Sequence, residues 1–310
     1  MSAVCPASAA SDDDRFVTLP SGTRLCCRTH GPDDAMPLLL VAGLGQDLTA
    51  WPPLFVDALV ESGFRVIRFD NRDSGRSTRI RRPAPSAWRQ FVGRPRADAY
   101  DLQAMADDAA ELLGALRVPA AHVVGMSMGG MIAQTLAASH PAKVRSLTSL
   151  ISTTGSLKVG QPTRGTMLRL VLPPPRTREK FTGAHLSMTS YLAGRAYPID
   201  PELEREHAEV AWDRALGSEG PPGADVARQL QAIQASGDRT DQLRLITAPT
   251  LVVHGDRDLI VAPSGGRATA EAIAGARHVT IPGMGHHLPP GLNDRLIELI
   301  TEHAREGAPA

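Results

Sequence analysis

The sequence has few cysteines and no excess of either charge. Its three cysteines are Cys5, Cys26 and Cys27, and an odd number with two adjacent does not form a disulfide framework. We therefore expect reduced thiols and a cytoplasmic location. The 33 basic residues balance 33 acidic ones, so the composition does not predict a nucleic-acid partner.

Long apolar runs are also absent. No stretch of about 20 apolar residues is present that could span a membrane. Residues 1–15 contain three consecutive aspartates, but neither a basic start nor an apolar core, so they do not resemble a secretory signal. We expect these residues to form a disordered tail.

Motifs for metals and for phosphate-bearing cofactors are missing. There is no Walker pattern, and the glycine pair at Gly43 and Gly45 is not continued beyond Ala50 as a dinucleotide-binding loop would be. His286 and His287 are adjacent, so they cannot form the i, i+4 ligand pair of a helical zinc site. We therefore expect no cofactor and no metal.

The sequence does contain a regular alternation of strand-like and helix-like runs. Short β-branched runs predict strands, and longer amphipathic runs predict helices. Their alternation predicts an α/β fold with a mostly parallel, doubly wound sheet and helices on both faces. The predicted strands are 16–19, 24–28, 37–41, 65–69, 121–124, 144–151, 250–254 and 279–281, and the predicted core helices are 51–62 and 102–116.

Ser127 stands in the most informative stretch of the chain. It is the serine of a Gly-x-Ser-x-Gly pattern that follows a predicted strand and precedes a helix-like run. A sharp turn between strand and helix exposes a serine above a sheet, where a base can activate its hydroxyl. Gly125 and Gly129 permit that turn because side chains there would collide with the neighbouring backbone. The alternative interpretation is an ordinary helix N-cap.

An acid and a histidine follow at the ends of two later strands. Asp258 comes after strand 250–254, and His286 comes after strand 279–281. In an open α/β sheet the carboxyl ends of the strands form the edge where ligands bind. Asp256 remains an alternative to Asp258, and His287 to His286. We interpret His254, at the end of an apolar strand, as a core histidine.

The chain resembles serine esterases of the α/β-hydrolase fold, and within that family bacterial carboxylesterases of the aclacinomycin methylesterase type. The resemblance covers roughly residues 16–152 and 244–306 and is carried by segments 38–45, 66–77, 125–130 and 281–289. It implies hydrolysis of a carboxylic ester through an acyl-enzyme, without a cofactor. In that scheme Ser127 is the nucleophile, His286 the base and Asp258 the acid that orients it.

The resemblance also implies an oxyanion hole made by the backbone N–H groups of Leu44 and Met128. Many relatives carry His-Gly in the first of these loops, whereas this chain has Ala42 before Gly43. The loop therefore lacks one side-chain hydrogen-bond partner.

The residues around this hole predict an apolar substrate. We expect Gly43, Trp51 and Met126, with Leu44 and Met128, to surround an apolar or aromatic ester of small to medium size, since methionine suits an adaptable pocket. The sequence does not indicate an oligomeric state.

The alternation of strands and helices stops between residues 152 and 244. Prolines interrupt helix-like runs at 202–215 and 226–235. We interpret 152–244 as a helical cap, inserted into a core of residues 16–151 and 245–310; a simple surface insertion is the alternative. We expect the charged stretch 70–72 to brace the loops beside the active site.

The fold does not determine the reaction. Cofactor-free perhydrolysis and carbon–carbon bond hydrolysis remain alternatives, as does a non-catalytic ligand-binding protein.

Overall fold

The computed structural model describes residues 14–170, 175–194, 196–216 and 224–307. An eight-stranded sheet forms its centre, with helices before, between and after the strands. The strands are β1 (Arg15–Thr18), β2 (Arg24–His30), β3 (Met36–Val41), β4 (Phe64–Phe69), β5 (Ala121–Met126), β6 (Val144–Leu150), β7 (Thr250–Gly255) and β8 (Arg277–Ile281). The helices are α1 (Pro53–Glu61), α2 (Ala87–Phe91), α3 (Leu102–Ala115), α4 (Met128–Ser139), α5 (Arg164–Leu170), α6 (Arg178–Ala193), α7 (Pro201–Leu216), α8 (Ala224–Ser236), α9 (Thr240–Leu243), α10 (Ser264–Ala272) and α11 (Asn293–Glu306).

The sheet is mostly parallel, as the alternation predicted. Its strand order is β1-β2-β4-β3-β5-β6-β7-β8. Only β1 with β2 and β2 with β4 pair antiparallel, and every later pair is parallel. Because a parallel sheet is covered on both faces, its inner strands are apolar throughout, and all six residues of β5 are buried.

Two hydrophobic cores lie on the two faces of the sheet. Side chains alternate along β3, so that Leu39 and Val41 enter one core, whereas Leu38 and Leu40 enter the other. Helices α3 and α4 cover the first core, and α1 and α11 cover the second. The fold is therefore the expected α/β fold with helices on both faces of the sheet.

Several predicted boundaries differ from the structure by a few residues, and two of the differences have a clear physical reason. The predicted helix 51–62 begins at Pro53, because residues 48–50 form a separate 3₁₀ turn capped by the Asp47 carboxylate, and proline suits the first position of the helix that follows. Asp14 and Arg15, assigned to the tail, belong to the fold: Arg15 begins β1, and Asp14 pairs with Arg28 at 2.6 Å. The rest of the predicted tail, residues 1–13, lies outside the described residues.

Helices α5 to α9 occupy the segment between β6 and β7. Helices α7 and α8 correspond to the predicted runs 202–215 and 226–235. The division of the chain into a cap, 152–244, and a core stays a prediction. Within the described ranges, the helices are too short or too polar to cross a membrane.

A buried arginine on α7 ties this segment to the core. Arg214, whose side chain is 4% exposed, binds the carboxylates of Asp14 at 2.9 Å, Asp47 at 2.8 Å and Asp70 at 2.8 Å. Burial by itself would lower the pKa of Arg214, but the charges of Asp70, Asp47 and Asp14 outweigh it and raise that pKa above its usual value. The guanidinium therefore stays charged and neutralises buried carboxylates from three segments.

We expect Arg214→Leu to lower the free energy of unfolding by about 3–5 kcal/mol, because it leaves buried carboxylates without their counter-ion. Urea unfolding followed by circular dichroism measures the change. Arg178→Leu is the matched control, since Arg178 on α6 pairs with Asp213 at 2.9 Å but is about half exposed, and such pairs contribute less than about 1 kcal/mol. Equal losses in the two variants would contradict the prediction.

Candidate active site

Ser127 occupies a strained turn between β5 and α4. Its backbone has φ 57° and ψ −120°. Residues other than glycine rarely adopt such a positive φ, and backbone strain of this kind is common at functional sites. A Cβ at Gly125 would lie 2.2 Å from the Gly129 carbonyl oxygen, and a Cβ at Gly129 would lie 2.1 Å from the Val41 carbonyl oxygen. Both glycines are therefore required by close backbone approach. The Ser127 side chain makes no helix-capping hydrogen bond, which argues against the N-cap interpretation.

The structure brings Ser127, His286 and Asp258 together in a chain of hydrogen bonds. Nε2 of His286 lies 3.0 Å from Oγ of Ser127, and Nδ1 of His286 lies 2.6 Å from Oδ2 of Asp258. The other carboxylate oxygen, Oδ1, accepts backbone N–H bonds from Ile260 at 2.9 Å and Val261 at 2.8 Å. These bonds hold the carboxylate towards the imidazole.

The two alternative residues lie elsewhere. The Asp256 carboxylate accepts the backbone N–H of Gly283 at 2.6 Å and so closes the turn after β8. His287 faces Glu204 of α7, with 3.2 Å between its Nε2 and Oε1. Neither side chain has a hydrogen bond to Ser127 among the described residues.

Asp258 is held in its charged form. Its burial would raise the pKa of the carboxyl, but the charge of His286 and hydrogen bonds from His254 and His286 bring that pKa well below its usual value. His254 is fully buried, as expected of a core histidine. Its Nε2 lies 2.8 Å from the Val261 carbonyl oxygen and 3.3 Å from Oδ2 of Asp258. Nothing in the sequence indicated this contact with the acid.

A loop after β3 packs against Ser127. A Cβ at Gly43 would lie 3.4 Å from Cβ of Ser127, which places the loop directly beside the serine. Among the hydrogen bonds of the described residues, none uses the backbone N–H of Leu44 or of Met128. Among the described residues, these two N–H groups therefore have no hydrogen-bond acceptor.

Two glutamines and an asparagine anchor this loop in place of the missing histidine. Gln46 accepts the N–H of Gly43 at 3.1 Å, and Asn71 donates to the carbonyl of Ala42 at 3.1 Å. Gln229, fully buried on α8, accepts the N–H of Gly45 at 2.8 Å. Its amide nitrogen donates to the carbonyl of Arg72 and to the hydroxyl of Ser74, both at 2.9 Å. Nothing in the sequence indicated that Gln229 anchors this loop, because its partners are more than 150 residues away.

The stretch 70–72 braces these loops, as expected. Asp70 accepts the backbone N–H groups of Leu48 and Arg76 at 2.8 Å each. Arg72 pairs with Asp108 of α3 at 2.6 Å.

Most of the predicted pocket side chains are part of the core. Trp51 has no exposed surface and stacks on Phe55, so the structure does not place it at an open pocket. Met126 and Met128 are buried in the cores on opposite faces of the sheet. Leu44 is partly exposed. Val226 of α8, which sequence reasoning missed, lies over the loop after β3, 2.8 Å from a Cβ at Gly45.

The end of helix α6 contacts the loop that carries His286. The N–H of His286 donates to the carbonyl of Leu192 at 3.0 Å. A Cβ at Gly285 would lie 1.8 Å from the same oxygen, so only glycine fits there. The position of His286 therefore depends on the segment between β6 and β7.

Known proteins have sequences and structures related to those of this chain. A family model described as the alpha/beta hydrolase fold matches residues 36–289. The rhodomycin D methylesterase DauP of Streptomyces sp. (strain C5) is 32% identical over 295 residues, which cover 88% of this chain and 92% of that protein. The bifunctional esterase/perhydrolase DCH of Acinetobacter calcoaceticus is 26% identical, over 88% of this chain and 93% of that protein.

A solved structure has a fold similar to that of this chain. The enol-lactonase from Burkholderia xenovorans LB400 has a TM-score of 0.68 and 26% identity, over 94% of this chain and 100% of that chain. The family model and the methylesterase match confirm the resemblance drawn from the motifs, and the chain belongs to the α/β-hydrolase fold family.

Proposed function

We propose that this protein is a serine hydrolase that cleaves a carboxylic ester through an acyl-enzyme on Ser127. The observation that carries the proposal is the pair of contacts made by His286, 3.0 Å to the Ser127 hydroxyl and 2.6 Å to the Asp258 carboxylate. A hydroxyl within hydrogen-bond reach of a base that a third group orients is the arrangement of an activated nucleophile.

The proposed reaction uses each side chain in turn. Nε2 of His286 takes the Ser127 proton while Oγ attacks the carbonyl carbon, and the N–H groups of Leu44 and Met128 bind the oxygen that becomes negative. The imidazolium gives its proton to the departing alcohol. Water, activated by the same nitrogen, then releases the acid. Asp258 keeps the proton on Nδ1 of His286 and stabilises the imidazolium.

The substrate class is an apolar or aromatic ester, and a methyl ester in particular. A relative that shares 32% of its residues is named a rhodomycin D methylesterase. The two side chains at the oxyanion loop, Leu44 and Val226, are apolar and partly exposed. They would contact the hydrocarbon part of the substrate, whereas Gly43 leaves room for its carbonyl. No metal or cofactor enters the reaction.

The test is turnover of a p-nitrophenyl ester series from C2 to C12, together with a methyl ester of an aromatic acid. We expect hydrolysis with a preference for one acyl length. Rapid acid quenching and mass spectrometry should find the acyl group on the peptide that contains Ser127. Folded protein that turns over none of these esters, or an acyl group on another residue, would contradict the proposal.

A second candidate reaction is perhydrolysis, because one relative is named a bifunctional esterase/perhydrolase. The same acyl-enzyme would pass its acyl group to hydrogen peroxide instead of water, so that acetate and hydrogen peroxide give peracetate and water. A peracid assay at fixed acetate concentration measures it. Peracetate formed faster than p-nitrophenyl acetate is hydrolysed would favour this reaction over ester hydrolysis.

The hydrogen bond from Gly45 to Gln229 gives a prediction for catalysis. Gln229→Leu leaves the Gly45 N–H without its acceptor, so the loop that presents the N–H of Leu44 loses an anchor. Removing an oxyanion donor outright lowers kcat by about 10²–10³-fold, and we expect this indirect change to lower it about tenfold. KM should change less, because the donor acts mainly in the transition state.

The matched control is Gln234→Leu on the same helix. Gln234 donates to the carbonyl of Gln90, away from the oxyanion loop. We expect nearly wild-type kcat for this variant. A kcat that falls equally in both variants would mean that Gln229 acts only through the stability of α8.

A further inference from the structure

A cluster of histidines surrounds a carboxylate on the cap helices, apart from the Ser127 site. It consists of His185 on α6, Glu204 and His207 on α7, and His287 after β8, and we call it the cap histidine cluster. Oε2 of Glu204 lies 2.7 Å from Nε2 of His185 and 3.9 Å from Nδ1 of His207. Oε1 lies 3.2 Å from Nε2 of His287. Three histidines from three segments thus converge on one carboxylate.

Helix geometry explains the convergence. Glu204 and His207 are three residues apart, so they lie on the same face of α7. Helix α6 packs against α7, and the rings of His185 and His207 meet edge to face, with 5.5 Å between their centroids. One ligand atom from each of His185, Glu204 and His207 lies within 4.8 Å of the other two.

These distances are close to those of a metal site. Zinc binds nitrogen and oxygen ligands at about 2.0–2.2 Å, which puts the ligand atoms of a tetrahedral site about 3.3–3.5 Å apart. The distances of 2.7, 3.2 and 3.9 Å around Glu204 bracket that value. His287 would have to move towards the other two histidines, because His185, Glu204 and His207 alone have ligand atoms that all lie within 4.8 Å of one another.

His287 supplies a further observation that points to a ligand. Its Nε2 is buried and has no hydrogen-bond partner among the described residues. The distance of 3.2 Å to Glu204 therefore does not correspond to a well-directed hydrogen bond. A buried ring nitrogen without a well-directed hydrogen bond is unfavourable, and a metal ion placed between His287 and Glu204 would satisfy it.

We propose that the cap histidine cluster binds one divalent transition metal ion, and that Zn²⁺ fits it best. Imidazole nitrogens suit zinc, and three histidines with one carboxylate make a four-coordinate site. A site with four protein ligands has no open position for substrate, which is the pattern of a structural metal. The ion would join α6 and α7 to His287, the neighbour of His286, so that the cap and the loop of the base are held together.

The experiment uses untagged, full-length protein, so that a histidine tag does not compete. Calorimetric titration with ZnCl₂ should give one site per chain. Titration with Co²⁺ should give the visible absorption of a four-coordinate ion, which Zn²⁺ then displaces. Zn²⁺ should raise the Tm of the wild type, because a ligand that binds only the folded protein stabilises it. None of these measurements requires ester hydrolysis, so they can fail or succeed independently of the proposed function.

Two variants and a control locate the site. His185→Asn and His207→Asn each remove one ligand from a side chain that is 24% exposed, and each should weaken Zn²⁺ binding at least tenfold and abolish the rise in Tm. His140→Asn is the control, since His140 also pairs with a carboxylate, Asp107 at 2.8 Å, but lies outside the cluster. It should bind Zn²⁺ like the wild type.

Several outcomes would overturn the proposal. These are the absence of Zn²⁺ binding by the wild type, wild-type affinity in both His185→Asn and His207→Asn, and a Co²⁺ spectrum no different from that of the aqueous ion. Should a histidine variant not fold, Glu204→Gln keeps the side-chain volume and removes the charged ligand. It must then show the same loss of binding.

Discussion

Ser127→Ala is expected to lower kcat for ester hydrolysis by about 10⁶-fold, the loss found when a serine nucleophile is removed. Oγ of Ser127 is the atom that would bond to the acyl carbon, and no other hydroxyl is hydrogen-bonded to His286 among the described residues. Alanine and serine tolerate the positive φ of 57° equally poorly. The variant should therefore fold and keep its Tm. Steady-state assays at high enzyme concentration measure the residual rate.

Ser152→Ala is the matched control for that loss. Its hydroxyl is buried and donates to the backbone carbonyl of Ser127 at 2.8 Å, so it lies next to the nucleophile without facing the base. Losing this bond should lower the free energy of unfolding by about 1 kcal/mol. The kcat of the variant should change less than about tenfold. A Ser127→Ala enzyme that keeps activity similar to that of Ser152→Ala would show that Ser127 is not the nucleophile.

Asp258→Asn is expected to lower kcat/KM by about 10⁴-fold, because the amide would favour the wrong tautomer of His286 and could not stabilise the imidazolium. The distance of 2.6 Å between Oδ2 and Nδ1 shows how directly the carboxylate acts on the ring. Measurement with a p-nitrophenyl ester below its KM gives the ratio.

Asp256→Asn separates the two aspartates. An asparagine oxygen can still accept the N–H of Gly283 that Asp256 accepts now, so this variant should remain within about tenfold of the wild type. Were Asp256→Asn as damaging as Asp258→Asn, the assignment of the acid would be wrong. Both variants replace an aspartate with an asparagine, and the two positions are only two residues apart. They are therefore well matched.

The sequence predicted the fold because its signals are local. β-branched runs occur where strands lie in the middle of the sheet, and both faces of β5 are buried as such a run requires. Gly125 and Gly129 could be interpreted without coordinates, since only the absence of Cβ allows the observed approach to the backbone. The candidate serine, acid and histidine were found at strand ends, whereas the choice of Asp258 over Asp256 and of His286 over His287 rested on the family resemblance.

What the sequence could not predict depends on contacts between distant segments. Gln229 accepts the N–H of Gly45 in the loop after β3 from 184 residues away, and nothing in the sequence around it distinguishes it from Gln231 or Gln234. Trp51 was predicted to line an apolar substrate pocket. Stacking on Phe55 instead places it in the core. The cap histidine cluster has ligands from three segments, and only the Glu204–His207 pair has a recognisable spacing.

Arg214 has a consequence for the order in which the chain folds. Its three carboxylates lie 144, 167 and 200 residues earlier in the sequence. Contacts of such separation close long loops, which costs conformational entropy and slows folding. We therefore expect helix α7 to pack against the core only after the early strands have formed. A chain that ends before Arg214 would hold these acidic groups without their counter-ion, so the early strands depend on a residue that is synthesised much later.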